Sequence, residues 1–373
     1  MVGSKKIIAT VTNPLFHDRR MQRICSALSE AGADVVLLGV KRNNVPQLNN
    51  TNFRTVLLKT WVHSGAFFYL EYNIRLFFYL LFHSFDLVIS VDLDSLLAGS
   101  FAAKLKSKEK MYDAHEYFTE VPELQGRQLV KMIWKVIARI CIGEHNMTVS
   151  KTLAELFSEK YGKQFQLVRN LPELHAPVIQ NSREIPKMGP VNILYIGYLN
   201  EGRGLEYAIR MMKDLPDRVH LYLVGNGDIE SVLQKIAMDL KVTDQVHFEG
   251  WKSPSELKIY LNQAHLGLNL LESRSESYYY SLANKTFDYM HYGIPGIHMD
   301  FPEYKIINAQ YDCFFLLPSM EKEYLVSVVR DLLSASGVYR KKRSKNLEAS
   351  QYFHWEMEKT KLLQHVNKIF DHK

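Results

Sequence analysis

Three stretches of the sequence gather residue types that could hold a phosphorylated ligand and act on it. The first is Gly197-Tyr198-Leu199-Asn200-Glu201-Gly202-Arg203-Gly204, whose three glycines allow close backbone approach to a phosphate while Arg203 adds a fixed cation. The same turn could be purely structural, and its spacing is not the G-x-G-x-x-G of a dinucleotide fingerprint. The second is the loop Glu272 to Ala283, which runs into Asn284-Lys285-Thr286-Phe287-Asp288-Tyr289-Met290 and stops at Gly293 and Pro295. A lysine at the start of a helix opposes the helix dipole, and that local conflict is relieved if a phosphate sits there. The third is Tyr112-Asp113-Ala114-His115-Glu116, where His115 and Glu116 either face a ligand or cap the next helix. Asp92-Leu93-Asp94 has the form of an Asp-x-Asp metal signature, but Asp94 more simply caps a helix starting at Ser95. Cys25, Cys141 and Cys313 are far apart and odd in number, with no metal-ligand spacing.

The elements that must position these residues alternate along the chain. Lys6–Val11, Asp34–Val40, Asp86–Val91 and Lys110–Tyr112 read as strands, with helices over Arg19–Ala31, Ser95–Leu105 and Leu129–Ile142. Between Leu171 and Pro190 the pattern breaks at Pro172, Pro177, Pro186 and Pro190, which predicts a linker. Alternation then resumes with strands at Val191–Ile196, His220–Val224, Val246–Phe248 and Leu266–Leu270. Ser253-Pro254-Ser255-Glu256 forms a capping box at the head of a helix. Strand–helix alternation on both sides of a proline-rich seam predicts two doubly wound parallel sheets, whose ligands bind beyond the carboxyl ends of the strands.

The run Phe287-Asp288-Tyr289-Met290-His291-Tyr292-Gly293-Ile294-Pro295 resembles, in register, the donor-site helix of the family-four retaining glycosyltransferases. Tyr195-Ile196-Gly197 to Gly204, Leu223-Val224-Gly225-Asn226-Gly227, Val246-His247-Phe248-Glu249-Gly250 and Val149-Ser150 agree with that family. Asn284-Lys285 ahead of Asp288 is similar to one subset of it. The resemblance implies a GT-B architecture, α/β with two Rossmann-like domains facing across a cleft. An acceptor-binding domain would span 1–171, the linker 172–190, a nucleotide-sugar domain 191–350, and a helix over 351–373 would pack back towards the first domain.

It also implies a retaining transfer from a nucleoside diphosphate sugar, UDP-linked by expectation, to a glycan, lipid-linked or other hydroxyl acceptor, without cofactor or metal. His115, Arg203 and Lys285 would be catalytic. Gly197, Gly204, Trp251, Lys252, Glu276, Asn284 and Asp288 would bind the donor, and Phe16, His17 and Glu116 the acceptor. The sequence departs from the family at two places. Tyr280 stands where the first of two glutamates is usual, with Glu276 as the substitute, and Tyr198 stands at a usual arginine, with Lys285 as the replacement cation. A nucleotide-sugar epimerase and a catalytically silent partner subunit share these features, and acceptor-stimulated nucleotide release separates the transferase from both.

The chain has 373 residues, 47% of them hydrophobic and 23% charged, which sets aside disordered and fibrous classes and favours two domains. Met1 to Thr12 is too short for a signal-peptide apolar region and reads as a first strand, so a cytoplasmic protein is expected, peripheral on the inner face of the membrane if on a membrane at all. Ala66 to Phe82 is short for a bilayer span and interrupted by Glu71, Asn73 and Arg75; it is either a core helix or an apolar surface for a lipid-linked acceptor or membrane. Glu71 and Arg75 are spaced to pair. The net charge of +6 fits anionic partners, and the run Arg340, Lys341, Lys342, Arg343, Lys345 is either a solvated helix face or a patch. No nucleic-acid-binding motif is present.

Overall fold

The Val-, Ile- and Leu-rich runs become strands buried along nearly their whole length, as parallel strands must be when helices cover both faces of the sheet. In the computed structural model the chain divides into two units, one of residues up to Asn170 together with Glu356 onward, the other Leu171–Trp355. The structure describes residues 2–42, 46, 48–174 and 184–371; the linker proline Pro177 lies outside the described residues.

The N-terminal unit runs β1 (Lys6–Thr10), α1 (Arg19–Glu30), β2 (Asp34–Val40), β3 (Arg54–Leu58), α2 (Gly65–Phe82), β4 (Leu87–Val91), α3 (Asp92–Leu105), β5 (Glu109–Ala114), α4 (Gln128–Cys141), β6 (Asn146–Thr148), α5 (Lys151–Tyr161) and β7 (Gln166–Leu167). Its parallel sheet has the order β3-β2-β1-β4-β5-β6-β7, so the winding direction reverses between β1 and β4. The C-terminal unit runs β8 (Val191–Ile196), α6 (Leu205–Met212), β9 (Val219–Val224), α7 (Glu230–Leu240), β10 (Val246–Gly250), α8 (Pro254–Gln263), β11 (Leu266–Asn269), α9 (Glu276–Tyr279), α10 (Asn284–His291), β12 (Gly296–Met299), α11 (Pro302–Tyr311), β13 (Phe314–Leu317), α12 (Lys322–Ser334) and α13 (Ser336–Ser350). Its sheet has the order β10-β9-β8-β11-β12-β13 and reverses between β8 and β11. Helix α14 (Trp355–Asp371) closes the chain, and beyond Trp355 it belongs to the N-terminal unit, where Glu358 accepts the Arg169 amide at 2.8 Å and Asn367 the Val2 amide at 2.7 Å.

Local chemistry explains most boundaries. The Ser253/Glu256 capping box opens α8, Ser150 caps α5 by accepting the Leu153 amide, and Gly162 ends α5 in the left-handed conformation. One boundary corrects the sequence reading. Helix α3 begins at Asp92 rather than Ser95, so Asp94 lies in its first turn and caps nothing; instead its carboxylate accepts the Thr12 hydroxyl at 2.5 Å. The basic run of α13 is a structural and solvated face. Lys341 and Lys342 pair with Asp312, Lys345 with Glu348, and Arg343 donates to the Tyr292 and Gly293 carbonyls that end α10.

Candidate active site

In each unit the candidate residues lie at the carboxyl edge of the sheet, several of them after the two strands where the winding reverses, the place where open parallel sheets leave a crevice for ligands. In the C-terminal unit these strands are β8 and β11. The loop after β8 carries Gly197, Arg203 and Gly204, and the loop after β11 leads through α9 into α10 with Asn284, Lys285 and Asp288.

The glycine loop is built by backbone contact with its neighbour. Gly197 donates to Val224 O and Leu199 to Asn226 O, both at 3.0 Å. A Cβ on Gly225 would lie 1.9 Å from the Gly197 oxygen, so only glycine lets the two loops touch. Gly204, left-handed at φ 66°, is the N-cap of α6. Trp251 and Lys252 follow β10, whose end is tied to this edge by the Gly225–Gly250 bridge; Trp251 is exposed, and Lys252 lies 3.9 Å from Glu249.

The two cations have an unusual environment. Lys285 is buried, and its Nζ sits 3.7 Å from the centre of the Tyr195 ring, next to Gly197. Arg203 stacks on Tyr278 at 4.9 Å, and its buried Nε has no hydrogen-bond partner. Neither makes an ion pair among the described residues. Burial, then repulsion from Arg203, hold the Lys285 ammonium well below its ordinary pKa, and the Asp288 carboxylate only partly offsets this. Cation–π contact is favourable but far weaker than the desolvation of an ammonium. The start of α10 is itself anchored, since Ala283 N–H donates to Tyr304 Oη at 3.1 Å and Asn269 donates to the same hydroxyl at 2.8 Å. The neighbouring His298 is pushed down to about 3 by burial and by Lys285, and so adds no charge. Asn284 and Glu276 are exposed, and Tyr280, at the place of the expected glutamate, caps the end of α9. Glu276 opens α9, and the same helix contributes the Tyr278 ring on which Arg203 rests.

In the N-terminal unit the reversal lies between β1 and β4. The turn after β1 carries Thr12, Phe16 and His17, with the Phe16 and His17 rings edge-on at 5.3 Å. Asp92 and Asp94 follow β4, and His115 and Glu116 follow β5. Asp113, fully buried, is held bidentately by buried Arg20 at 2.7 and 3.0 Å, and its Oδ2 also lies 3.0 Å from His115 Nε2. Burial pushes the Asp113 carboxyl up, but Arg20 and His115 outweigh it and hold it at about 2. Burial pushes His115 down, but Asp113 outweighs it and raises the imidazole to about 9. His115 is thus an oriented imidazolium and caps no helix; its amide donates to Asp92 at 2.9 Å. Glu116 is exposed. Burial raises Asp94 to about 7 and Asp92 well above its ordinary value. Among the described residues no group of three or more His, Cys, Asp or Glu could hold a metal ion.

Sequence reasoning missed Tyr195 and Tyr278, which seat the two cations, and Arg20, which fixes Asp113. A tyrosine next to last in a strand, two residues before a glycine loop, is the signal that could have pointed to Tyr195.

Two doubly wound parallel sheets give the chain an α/β fold of GT-B type. Residues 190–335 match the family described as Glycosyl transferases group 1. No curated protein matches the chain in sequence. Among solved structures, a sucrose-phosphate synthase from Thermosynechococcus elongatus is similar at 17% identity and TM-score 0.81, over 99% of this chain and 100% of that one. HepE of Anabaena, in complex with UDP and glucose, is similar at 12% identity and TM-score 0.76, over 97% and 99%. WaaG, a glycosyltransferase involved in lipopolysaccharide biosynthesis, is similar at 17% and 0.73, over 95% and 98%. At these identities the likeness is one of fold. The match to the glycosyl transferases group 1 family lies within the C-terminal unit.

Proposed function

We propose that the protein transfers a sugar from a nucleoside diphosphate sugar, UDP-linked, to a hydroxyl of a glycan or lipid-linked acceptor, with retention of configuration and without a metal ion. The observation that carries this reading is the pair of basic side chains, buried Lys285 and half-buried Arg203, beside a glycine-lined loop, with the Asp288 carboxylate offsetting only part of the cost of burying Lys285. A diphosphate supplies the missing charge. As the bond from the sugar's anomeric carbon to the diphosphate oxygen breaks, negative charge grows on that oxygen, and preorganised cations and helix-end amides stabilise it. The acceptor oxygen attacks from the same face, and its proton passes to the departing phosphate.

In this reading Asp288 holds the ribose hydroxyls, backbone groups at Trp251 and Lys252 the base, and Gly197, Gly204 and Asn284 the phosphate edge. Glu276 and the His115 imidazolium hydrogen-bond sugar hydroxyls. Phe16, His17 and Glu116 bind the acceptor. The free, buried cysteines suit a cytoplasmic setting.

The test is nucleotide release. Slow hydrolysis of a UDP-sugar, accelerated by an accepted hydroxyl compound with formation of an α- or β-linked product matching the donor, supports the proposal. Conversion of the donor to an isomeric nucleotide sugar would make the protein an epimerase, and donor binding without either reaction would make it a silent partner.

A further inference from the structure

The outer surface of α2, α3 and α4 is apolar where a soluble helix layer should be polar. Helix α2 buries Phe68, Tyr72, Leu76 and Leu80 at four-residue spacing, which accounts for its core face. Its opposite side exposes Phe67, Leu70, Ile74, Phe78 and Phe82, between 49% and 81% exposed. The helix therefore has a core face and, opposite it, an exposed apolar face. Helix α4 repeats the arrangement, burying Trp134, Ala138 and Cys141 and exposing Leu129, Met132, Ile133, Val136 and Ile140. Helix α3 packs against both, and its Phe101 and Leu105 are exposed as well. Single exposed apolar side chains need no explanation, but a run across three adjacent helices marks an interaction surface.

The charges of α4 itself are one-sided, while Glu120 and the exposed Glu123 lie in the turns packed against it. Helix α4 carries Lys131, Lys135 and Arg139 and no carboxylate, and Arg127 precedes it. Lys131 is engaged by Glu120, with Lys135 3.9 Å from the same carboxylate, while Arg127 and Arg139 make no ion pair among the described residues. On α2, Glu71 is consumed by Arg75 and by the Trp61 and Val62 amides. Lys104 extends the cationic margin on α3.

We propose that this face docks the protein onto an anionic bilayer, with the aliphatic and aromatic residues of α2 and α4 entering the headgroup boundary and the α4 cations meeting lipid phosphates. Amphipathic helices lying in the interface plane combine these two features. Self-association fits less well, because a twofold contact sets a patch against itself and would bring α4, which carries three cations and no carboxylate of its own, against its own copy. No helix among the described residues is long and apolar enough to cross a membrane, so the docking is peripheral. The inference does not depend on the donor-site reading.

The experiment is flotation of the full chain with vesicles of phosphatidylcholine, alone or with phosphatidylglycerol, beside light scattering of the protein without lipid. The wild type should float with the anionic vesicles and much less with the neutral ones. Ile133→Glu with Ile140→Glu should abolish flotation, and Lys135→Gln with Arg139→Gln should weaken it roughly 30-fold, since each cation is worth about fivefold at an anionic surface. All four positions are solvent-exposed, so an unchanged melting curve separates lost docking from lost folding. Absence of flotation, or flotation untouched by these variants, would overturn the proposal. So would a dimer in solution that Ile133→Glu dissociates, because the face would then be an interface between copies.

Discussion

Each unit holds a cluster of charge at the carboxyl edge of its sheet, and the two clusters are balanced differently. In the N-terminal unit Arg20, Asp113 and His115 satisfy one another, with Arg20 also donating to Val168 O at 2.7 Å. In the C-terminal unit Lys285 and Arg203 rest on tyrosine rings and repel each other. The first cluster is complete within the protein and orients an imidazolium. The second is incomplete, and in the proposed function an anion of the substrate completes it. A buried charge without a partner is costly, so its presence points to a ligand more strongly than a paired one does.

Breaking the balanced cluster should have the largest effect on folding. Asp113→Ala strands Arg20 in the interior and should cost about 3–5 kcal/mol by urea unfolding; a loss below about 1 kcal/mol would mean the cluster is not structurally closed. The unbalanced cluster should behave in the opposite way. Lys285→Ala should lower turnover roughly 10²–10³-fold while leaving the melting temperature equal or higher, because it removes an unpaired buried charge. Normal turnover would remove Lys285 from the reaction, and a collapse in melting temperature would make it structural.

A third measurement isolates the missing anion. UDP at 100 times its dissociation constant should stabilise the protein by about 2.7 kcal/mol, whereas uridine at the same concentration should do far less. Equal stabilisation by the two would break the comparison. A smaller effect is expected from pH. His115 is raised in the folded state, so its contribution is complete below about 6.5 and is lost as pH climbs through about 9. Asp113 is depressed, so its share is complete above 3.8 and is lost as pH falls to about 2. His115→Gln should flatten the alkaline slope of melting temperature between these limits, and an unchanged slope would assign the titration to another group. The smallest effect should be that of EDTA, which leaves turnover unchanged; loss restored by manganese would return Asp92 and Asp94 to a metal role.

Much of the fold was legible because parallel strands covered on both faces are continuous apolar runs, as at Val191–Ile196 and Asp34–Val40. Strand β3 was not, since Arg54–Leu58 is an edge strand with no fully buried residue. The start of α3 was misread because Asp92 adopts a left-handed backbone at φ 49°, which an aspartate tolerates and no neighbouring residue announces. In the site, glycine spacing and the lysine at the head of a helix were visible one-dimensionally. Their partners were not, because Tyr195 lies 90 residues from Lys285 and Arg20 lies 93 from Asp113, and only the sheet order brings them together.

The seat of Lys285 on an aromatic ring also has a kinetic side. A lysine held by a carboxylate must exchange one counter-ion for another each time a substrate arrives and again when the product leaves. A lysine resting over Tyr195 has no such competitor, so its charge is free for whichever phosphate occupies the pocket. The same freedom favours the departed nucleotide as much as the incoming donor. If the proposed function holds, an enzyme built this way is open to inhibition by its own nucleotide product.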